Sequence, residues 1–311
     1  MKRALWIIGG AVAALLLVLA LGFGLLQTRP GKAWLAARVG ALLSDAQERV
    51  TIGGIAGIVP FDFRVRAVAI ADDAGPRLTA DEARIRISAA DLLAGRLTIT
   101  RLAIGHAAIL RPGRSNAALD WRALLHPPLP VALDALEIGE LRLGAAVLGT
   151  PLAAHVTGAG ALGGGRASAR LAAERVDGTP GALTLDAAFG GTPPRLRLEA
   201  HASEPTGALL SRLLDRPEPL PLSLALTGDG PLADWQGRLD AHAGSATLAA
   251  SVRVAGSAPY RLSVTAEARP APLLPPEIAP ILGDRVTLAA EAGFAPDAIT
   301  LGRLAVGAAG F

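Results

Sequence analysis

The sequence predicts a mainly β protein: an N-terminal transmembrane helix, then an elongated, curled antiparallel or mixed β-sheet groove with a few short helices. Three observations lead there. Residues 4–28 carry no charge and are almost all apolar from Leu5 to Leu26, matching the roughly 20 residues a helix needs to cross a bilayer's hydrocarbon core. From Val50 onward, short stretches alternate apolar with polar residues between Gly, Pro and Asp turn signals, the pattern of strands recurring every 8–12 residues or so. No regular helical pattern separates them, which argues against a parallel α/β sheet.

The uncharged run decides where the rest of the chain lies. Leu5, Trp6, Ile7, Ile8, Leu15, Leu16, Leu17, Leu19, Leu21, Phe23, Leu25 and Leu26 are its membrane-facing candidates. Lys2, Arg3 and the α-amino group favour a cytoplasmic start. Arg29, Lys32 and Arg38 blur that count, but long domains translocate largely regardless of such charges, which places the body outside the cytoplasm. Two alternatives stand beside the anchor. Val18-Leu19-Ala20 has the small-residue character of a signal-peptide cleavage site, although the apolar run continues past it to Leu26. A buried core helix is the other, although such a helix usually shows a polar face. The expected organisation is therefore residues 1–28 as cytoplasmic start and anchor, 29–48 as an amphipathic linker helix, and 49–311 as the β-rich body.

Composition bounds the body. Its bulk comes from Ala, Leu, Val and Ile, since 51% of the 311 residues are hydrophobic but only 4% aromatic. That apolar content is too high for disorder, and 36 Gly with 23 Pro require frequent turns. The Arg residues behind the net charge of +3 are scattered through alternating segments, with no basic block, so no nucleic-acid partner is expected. With no cysteine, disulfides, thiol catalysis and thiolate metal sites are excluded. An exported domain of this kind is held by sheet hydrogen bonds and apolar burial alone.

The elements follow in order. Pro30 suits a helix's first turn, and Trp34, Leu35, Val39, Leu42 and Leu43 recur near helical spacing. This helix either lies at the membrane interface or plugs the end of the β body. Strands are expected at Val50–Ile52, Phe63–Ile70 and Arg84–Ile87, with turns at Pro60 and Asp72–Gly75 and a short helical coil at Ala90–Arg96. Between Leu97 and Ile109 the apolar parity changes near Arg101, the mark of a bulge or of two separate strands. Residues 115–126 read as locally helical around Trp121. Strands resume at Ala135–Ile138, Leu141–Leu143 and Val147–Gly149. Arg195 to Ala202 is the cleanest alternation in the chain. A helix is expected from Ser203-Glu204-Pro205 to Leu214 and another short one within Pro270–Pro280. Further strands fall at Leu222–Leu226, Gly237–Asp240, Ala246–Val254, Arg261–Ala266, Val286–Ala290 and from Ile299 on. The chain stops without a polar tail, as the N-terminal part of a longer strand-rich protein would.

Catalytic signals are poor. His106, His126, His155, His201 and His242 share no ligand spacing. Asp72-Asp73 and Asp81-Glu82 sit in segments that read as turns, where Asp bonds the backbone. Gly158 to Gly163 matches the dinucleotide fingerprint literally, but Gly164-Gly165 makes a poor helix start, so a flexible turn is expected. No cofactor, metal or enzymatic activity is expected. What remains is a face: Ile85, Ile87, Leu196 and Leu198 are candidate lining of an apolar groove that shields acyl chains or an extended polypeptide. An ordinary packed core is the competing reading of the same residues.

The order of segments carries a resemblance. It comprises the anchor, Thr28-x-Pro30-Gly31-x-x-Trp34-Leu35, Ile52-x-Gly54-x-x-Gly57 with Pro60, and Asp72-Asp73-Ala74-Gly75. Leu92-Leu93-x-Gly95-Arg96-Leu97, Ile109-x-Arg111-Pro112 and the later Gly228-Asp229-Gly230-Pro231-Leu232-x-Asp234-Trp235-x-Gly237 continue it. Together they resemble the N-terminal part of the TamB family, the inner-membrane subunits of translocation and assembly modules within the AsmA-like group. The resemblance implies a single-pass inner-membrane protein of a Gram-negative bacterium with its bulk in the periplasm. It implies an Omp85-type outer-membrane barrel as partner. The implied role is scaffolding outer-membrane protein and autotransporter assembly and secretion, or alternatively carrying phospholipid between membranes through a hydrophobic β groove. No catalytic residue is carried over, and the family's C-terminal domain is not recognisable.

Overall fold

A computed structural model of the chain describes residues 23–45, 47–112, 127–214, 218–256, 260–274, 283–295 and 298–308. The anchor candidates Leu5 to Leu21, the helix expected at 115–126, and His126 lie outside them. Among the described residues no helix is long and apolar enough to cross a membrane.

The protein is mainly β, built on one mixed sheet of 15 strands in which sequence order is spatial order. The strands are β1 Arg49–Ile58, β2 Asp62–Asp72, β3 Gly75–Ile87, β4 Leu97–Ile109, β5 Val131–Leu143, β6 Leu152–Gly163, β7 Arg166–Arg175 and β8 Ala182–Gly190. They continue as β9 Arg195–Glu204, β10 Leu222–Pro231, β11 Asp234–Ala243, β12 Ala246–Ala255, β13 Tyr260–Arg269, β14 Val286–Ala295 and β15 Ala298–Ala308. Every pair is antiparallel except β4 with β5, which is parallel and joined by residues 110–130. A parallel pair needs such a long crossover, whereas antiparallel neighbours need only a tight turn.

Residues 23–27 are helical, Thr28 is extended, and helix α1 follows at Arg29–Leu43. Thr28 caps it, its hydroxyl accepting from the Gly31 N–H at 3.2 Å. The linker helix therefore ends five residues before the expected 48. Ser44 terminates it, and Asp45 turns the chain by accepting the N–H groups of Gln47 and Glu48. α1 packs on β1 through two small residues, Ala36 and Gly40. A Cβ on Gly40 would lie 2.9 Å from the Val50 carbonyl oxygen, so only glycine permits this approach.

Polar side chains fasten the two ends of that contact. The Ser44 hydroxyl accepts the Val50 N–H at 2.8 Å. At the other end Gln27 donates to the Val59 carbonyl at 2.7 Å and accepts the Val59 N–H at 3.1 Å. β1 is an edge strand, and the helix over its free side shields an edge that would otherwise template another strand.

Among the described residues the remaining helices are single turns between strands: α2 Ala89–Leu93, α3 Ala145–Leu148, α4 Ala208–Leu213 and a 3-10 turn at Ala271–Leu273. Val147–Gly149, expected as strand, is instead the end of α3. The chain must reverse between β5 and β6, and Gly149 closes the turn at φ 76°. The helix expected from Ser203 starts at Ala208, capped by Gly207, because Ser203 and Glu204 finish β9. Gly158–Gly163, expected as a turn, lies inside β6, and the turn is Gly164-Gly165. Gly158 and Gly160 let β7 approach: a Cβ there would lie 2.9 Å from Arg170 O and 3.0 Å from Ser168 O.

The parity change near Arg101 is a bulge within one strand. Arg86 pairs with Arg101, but Ile87 pairs with Ile99, so Thr100 is the extra residue. β5 carries the same step, because Leu133 pairs with Gly160 and Leu136 with Gly158. Leu97 faces Val131 and Ile109 faces Leu143, an offset of 34 residues at both ends, so the irregularities of the two strands lie side by side.

A second line of irregularity crosses the first five strands. Ile52/Ile55, Val65/Val68, Ala80/Ala83, Ile104/Ala107 and Ile138/Leu141 are apolar pairs three residues apart, where a regular strand has two. Gly54 and Glu82 lie in this line with φ 58° each, the left-handed turn that lets the apolar parity switch. Asp81-Glu82 is therefore turn-like in its backbone but sits mid-strand, contrary to the expectation of a solvated turn.

Candidate functional site

Directly opposed residues of neighbouring strands share a face, so the register traces rows across the sheet. One row crosses all 15 strands. It runs Gly57, Phe63, Ile85, Leu102, Leu136, Gly158, Leu171, Leu185 and Ala200. It continues through Leu226, Leu239, Ala250, Ala266, Leu288 and Val306. Every member is apolar or glycine.

Two parallel rows flank it. One runs from Ile87 and Ile99 through Leu133, Leu198 and Val252 to Leu304. The other runs from Ile104 and Ile138 through Val156, Leu224 and Leu248 to Ala308. At about 4.8 Å between strands, the central row extends roughly 65–70 Å along the sheet.

The opposite face is polar along the same strands. Arg170, Asp186, Glu199, Thr227, Arg238, Ser251 and Thr265 form one of its rows. It carries charges of both signs, several of which pair across or along strands, as in Arg170–Asp186 at 2.8 Å, Arg238–Asp240 at 2.7 Å and Arg101–Glu137 at 2.6 Å. Exposed pairs like these contribute little stability each; they keep this face wet.

The four lining candidates fall on the apolar face. Ile85 is in the central row, Ile87 and Leu198 in one flanking row, and Leu196 one step further out, opposite Phe189. All four are half-buried. Among the described residues no large side chain is fully buried, and the buried apolar set is only Ala36, Val59, Val65, Ala80, Ala83, Ala154, Val156, Trp235 and Ala246. The described strands therefore form a single layer whose apolar face is shielded sideways by its neighbours rather than covered by a second layer.

The Trp235 side chain lies flat on this face. Its indole covers Gly228 and Gly237, where a Cβ would come within 2.1 and 2.4 Å of the ring, and its N–H donates to the Leu196 carbonyl at 2.9 Å. A shallow depression of about 350 Å³ nearby is lined by Val131, Leu133, Leu162, Phe189 and Leu196. A wider one, about 1020 Å³, lies on the polar face between Arg197, Glu199, Asp229, Arg238 and Arg253. Charged side chains of both signs wall it.

A buried polar node closes one margin of the apolar face beside α4. Glu204, 4% exposed, takes Arg175 at 3.0 Å, the Thr206 hydroxyl at 3.1 Å and the Leu209 N–H at 3.0 and 3.1 Å. Arg175 also forks onto Asp177 at 2.9 and 3.1 Å. That contact, with N–H groups of Ala153 and Thr179, holds the Asp177 carboxyl below the ordinary carboxylate value against partial desolvation.

The titratable residues flagged in the sequence do not converge. His106 lies 4.0 Å from Glu140, His155 contacts Gly139 O at 3.3 Å, and His201 contacts Glu199 at 3.3 Å. Asp72 accepts the Ala74 N–H at 2.8 Å and binds Arg111 at 2.9 Å, the backbone role expected of it. Among the described residues no group of three or more His, Asp or Glu is placed to hold a metal.

Sequence reasoning found single strands of the apolar face but not its continuity. The signal was present: the three-residue apolar steps at 99–102 and 133–136, and at 104–107 and 138–141, mark two strands with the same bulges. No protein-family model, curated protein or solved structure matches the chain.

Proposed function

We propose that the protein is a membrane-anchored carrier of lipid acyl chains, an AsmA-like β groove in which the apolar face forms the inner wall. The observation that carries this reading is the row from Gly57 to Val306, which has no polar member in 15 strands. Continuity is what an acyl chain needs. Each methylene returned to water costs about 0.8 kcal/mol. A polar gap one strand wide would strand about four methylenes, a barrier of about 3 kcal/mol at every such gap. Ordinary solubility requires no such uninterrupted row. The resemblance to the TamB family supplies the compartment of the proposal: an inner-membrane anchor, a periplasmic body and an Omp85-type barrel partner.

The experiment is complementation. In cells lacking the protein, Leu239→Arg places a charge in the middle of the row, and Arg238→Ala alters the adjacent polar-face position. Phospholipid passage to the outer membrane is expected to fail with Leu239→Arg and to recover with Arg238→Ala. Full recovery with Leu239→Arg contradicts the carrier.

One observation favours a second reading, scaffolding of outer-membrane protein and autotransporter assembly. β15 is the far edge of the sheet, and no described element pairs with its outer side. Such an edge accepts an extended client strand. Loss of autotransporter levels with phospholipid passage intact, in the same Leu239→Arg strain, supports this reading over the first.

A further inference from the structure

The outward face of α1 has a composition its contact with β1 does not explain. Ala36 and Gly40 face the strand. Trp34, Arg38 and Leu42 stand at i, i+4 and i+8 on the opposite side. Trp34 is 61% exposed and Leu42 is 75% exposed. A large exposed aromatic and leucine on one stripe mark a contact surface.

The sequence identifies what that surface meets. The helix RPGKAWLAARVGALL has three cations, Arg29, Lys32 and Arg38, and no acid. It follows directly on the uncharged run of residues 4–28. Thr28, extended at ψ 156°, breaks the helix between residues 27 and 29. Tryptophan prefers the head-group level of a bilayer, and basic helices are drawn to anionic lipid.

We propose that α1 lies in the head-group layer with Trp34 and Leu42 against lipid and Arg38 against phosphate. The β1 end of the apolar face then opens directly on the membrane surface, giving acyl chains an entrance. This inference rests on the carrier reading above and locates its intake.

The chain lacks cysteine, so single nitroxide labels are unambiguous. Full-length protein carrying Trp34→Cys, Leu42→Cys, Leu16→Cys or Ser251→Cys is reconstituted in vesicles of phosphatidylethanolamine and phosphatidylglycerol. Accessibility to oxygen and to a water-soluble nickel complex is read by electron paramagnetic resonance. Labels at 34 and 42 are expected to favour oxygen over nickel several-fold more than the label at 251. If 34 and 42 match 251 while 16 reads as lipid-buried, the intake proposal falls and the anchor stands. If 16 also reads as aqueous, the membrane-anchored carrier falls with it.

Discussion

Gln27 and Val59 form a two-point clamp between the chain preceding α1 and the turn following β1. The side-chain amide donates to the Val59 carbonyl at 2.7 Å and accepts its N–H at 3.1 Å. Phe23 and Phe61 stack loosely beside it, with ring centroids 6.2 Å apart. Gln27 lies near the end of the uncharged run, so the clamp ties that end to the first strand of the sheet.

Gln27→Ala removes both bonds and leaves the Val59 backbone, on a residue 5% exposed, without its partner. The expected loss is about 1–3 kcal/mol of stability. Thermal unfolding checks the size. Hydrogen exchange at Val59 checks the site, and is expected to accelerate there before it does in β9 or β10.

Glu204→Ala is expected to be among the most damaging substitutions of a charged residue. It leaves Arg175 with Asp177 alone and removes the acceptor of the Leu209 N–H. Breaking a buried pair from one side costs about 3–5 kcal/mol. Glu204→Gln, which keeps an acceptor, is expected to cost less. Denaturant unfolding of the two variants orders them.

Asp177 makes this node sensitive to acid. Its folded pKa lies below the unfolded value, chiefly through Arg175, so its contribution is present in full above the unfolded value of about 3.9. The contribution is lost as pH falls through the depressed folded value. Asp177→Asn is therefore expected to melt below the wild type at pH 7, with the gap narrowing below about pH 4. Melting curves at pH 7, 5 and 3 test this. A gap independent of pH would remove Asp177 from the account.

Trp235 and its two glycines form a packing unit. Gly228→Ala puts a methyl group where the indole lies, 2.1 Å from a ring carbon, so the ring must swing off the sheet. Trp235→Ala is expected to cost about 3–5 kcal/mol. Gly228→Ala is expected to approach that loss, since it displaces the same side chain. Trp235→Phe, which loses only the bond to Leu196 and part of the ring, is expected to cost less. A Gly228→Ala protein as stable as wild type would show that the ring has another seat.

Most of the sheet was legible from local chemistry. Asp72–Gly75, Pro60 and the alternation of Arg195–Ala202 placed turns and strands where they are found. β6, β7 and β8 were not legible, because Ala and Gly on both faces, as in Ala153–Ala154 and Ala172–Ala173, give almost no apolar contrast. The parallel pairing of β4 with β5 was missed for another reason. Their shared bulges break period-2 alternation in each strand alone and become a signal only when the strands are compared. α1 was legible as a helix, but its contact was not. Ala36 and Gly40 form it, because a helix laid against a strand edge needs small side chains.

The continuity of the apolar row is the claim on which the functional account depends. Photocrosslinking amino acids placed at Ile85, Leu185, Leu226 and Leu288, all in that row, test it in intact cells against Arg64, Arg170, Arg238 and Thr287 on the polar face. The account predicts phospholipid adducts at all four row positions, near both ends and in the middle, and none at the polar four. Adducts absent from the row, or equally frequent on both faces, would contradict it.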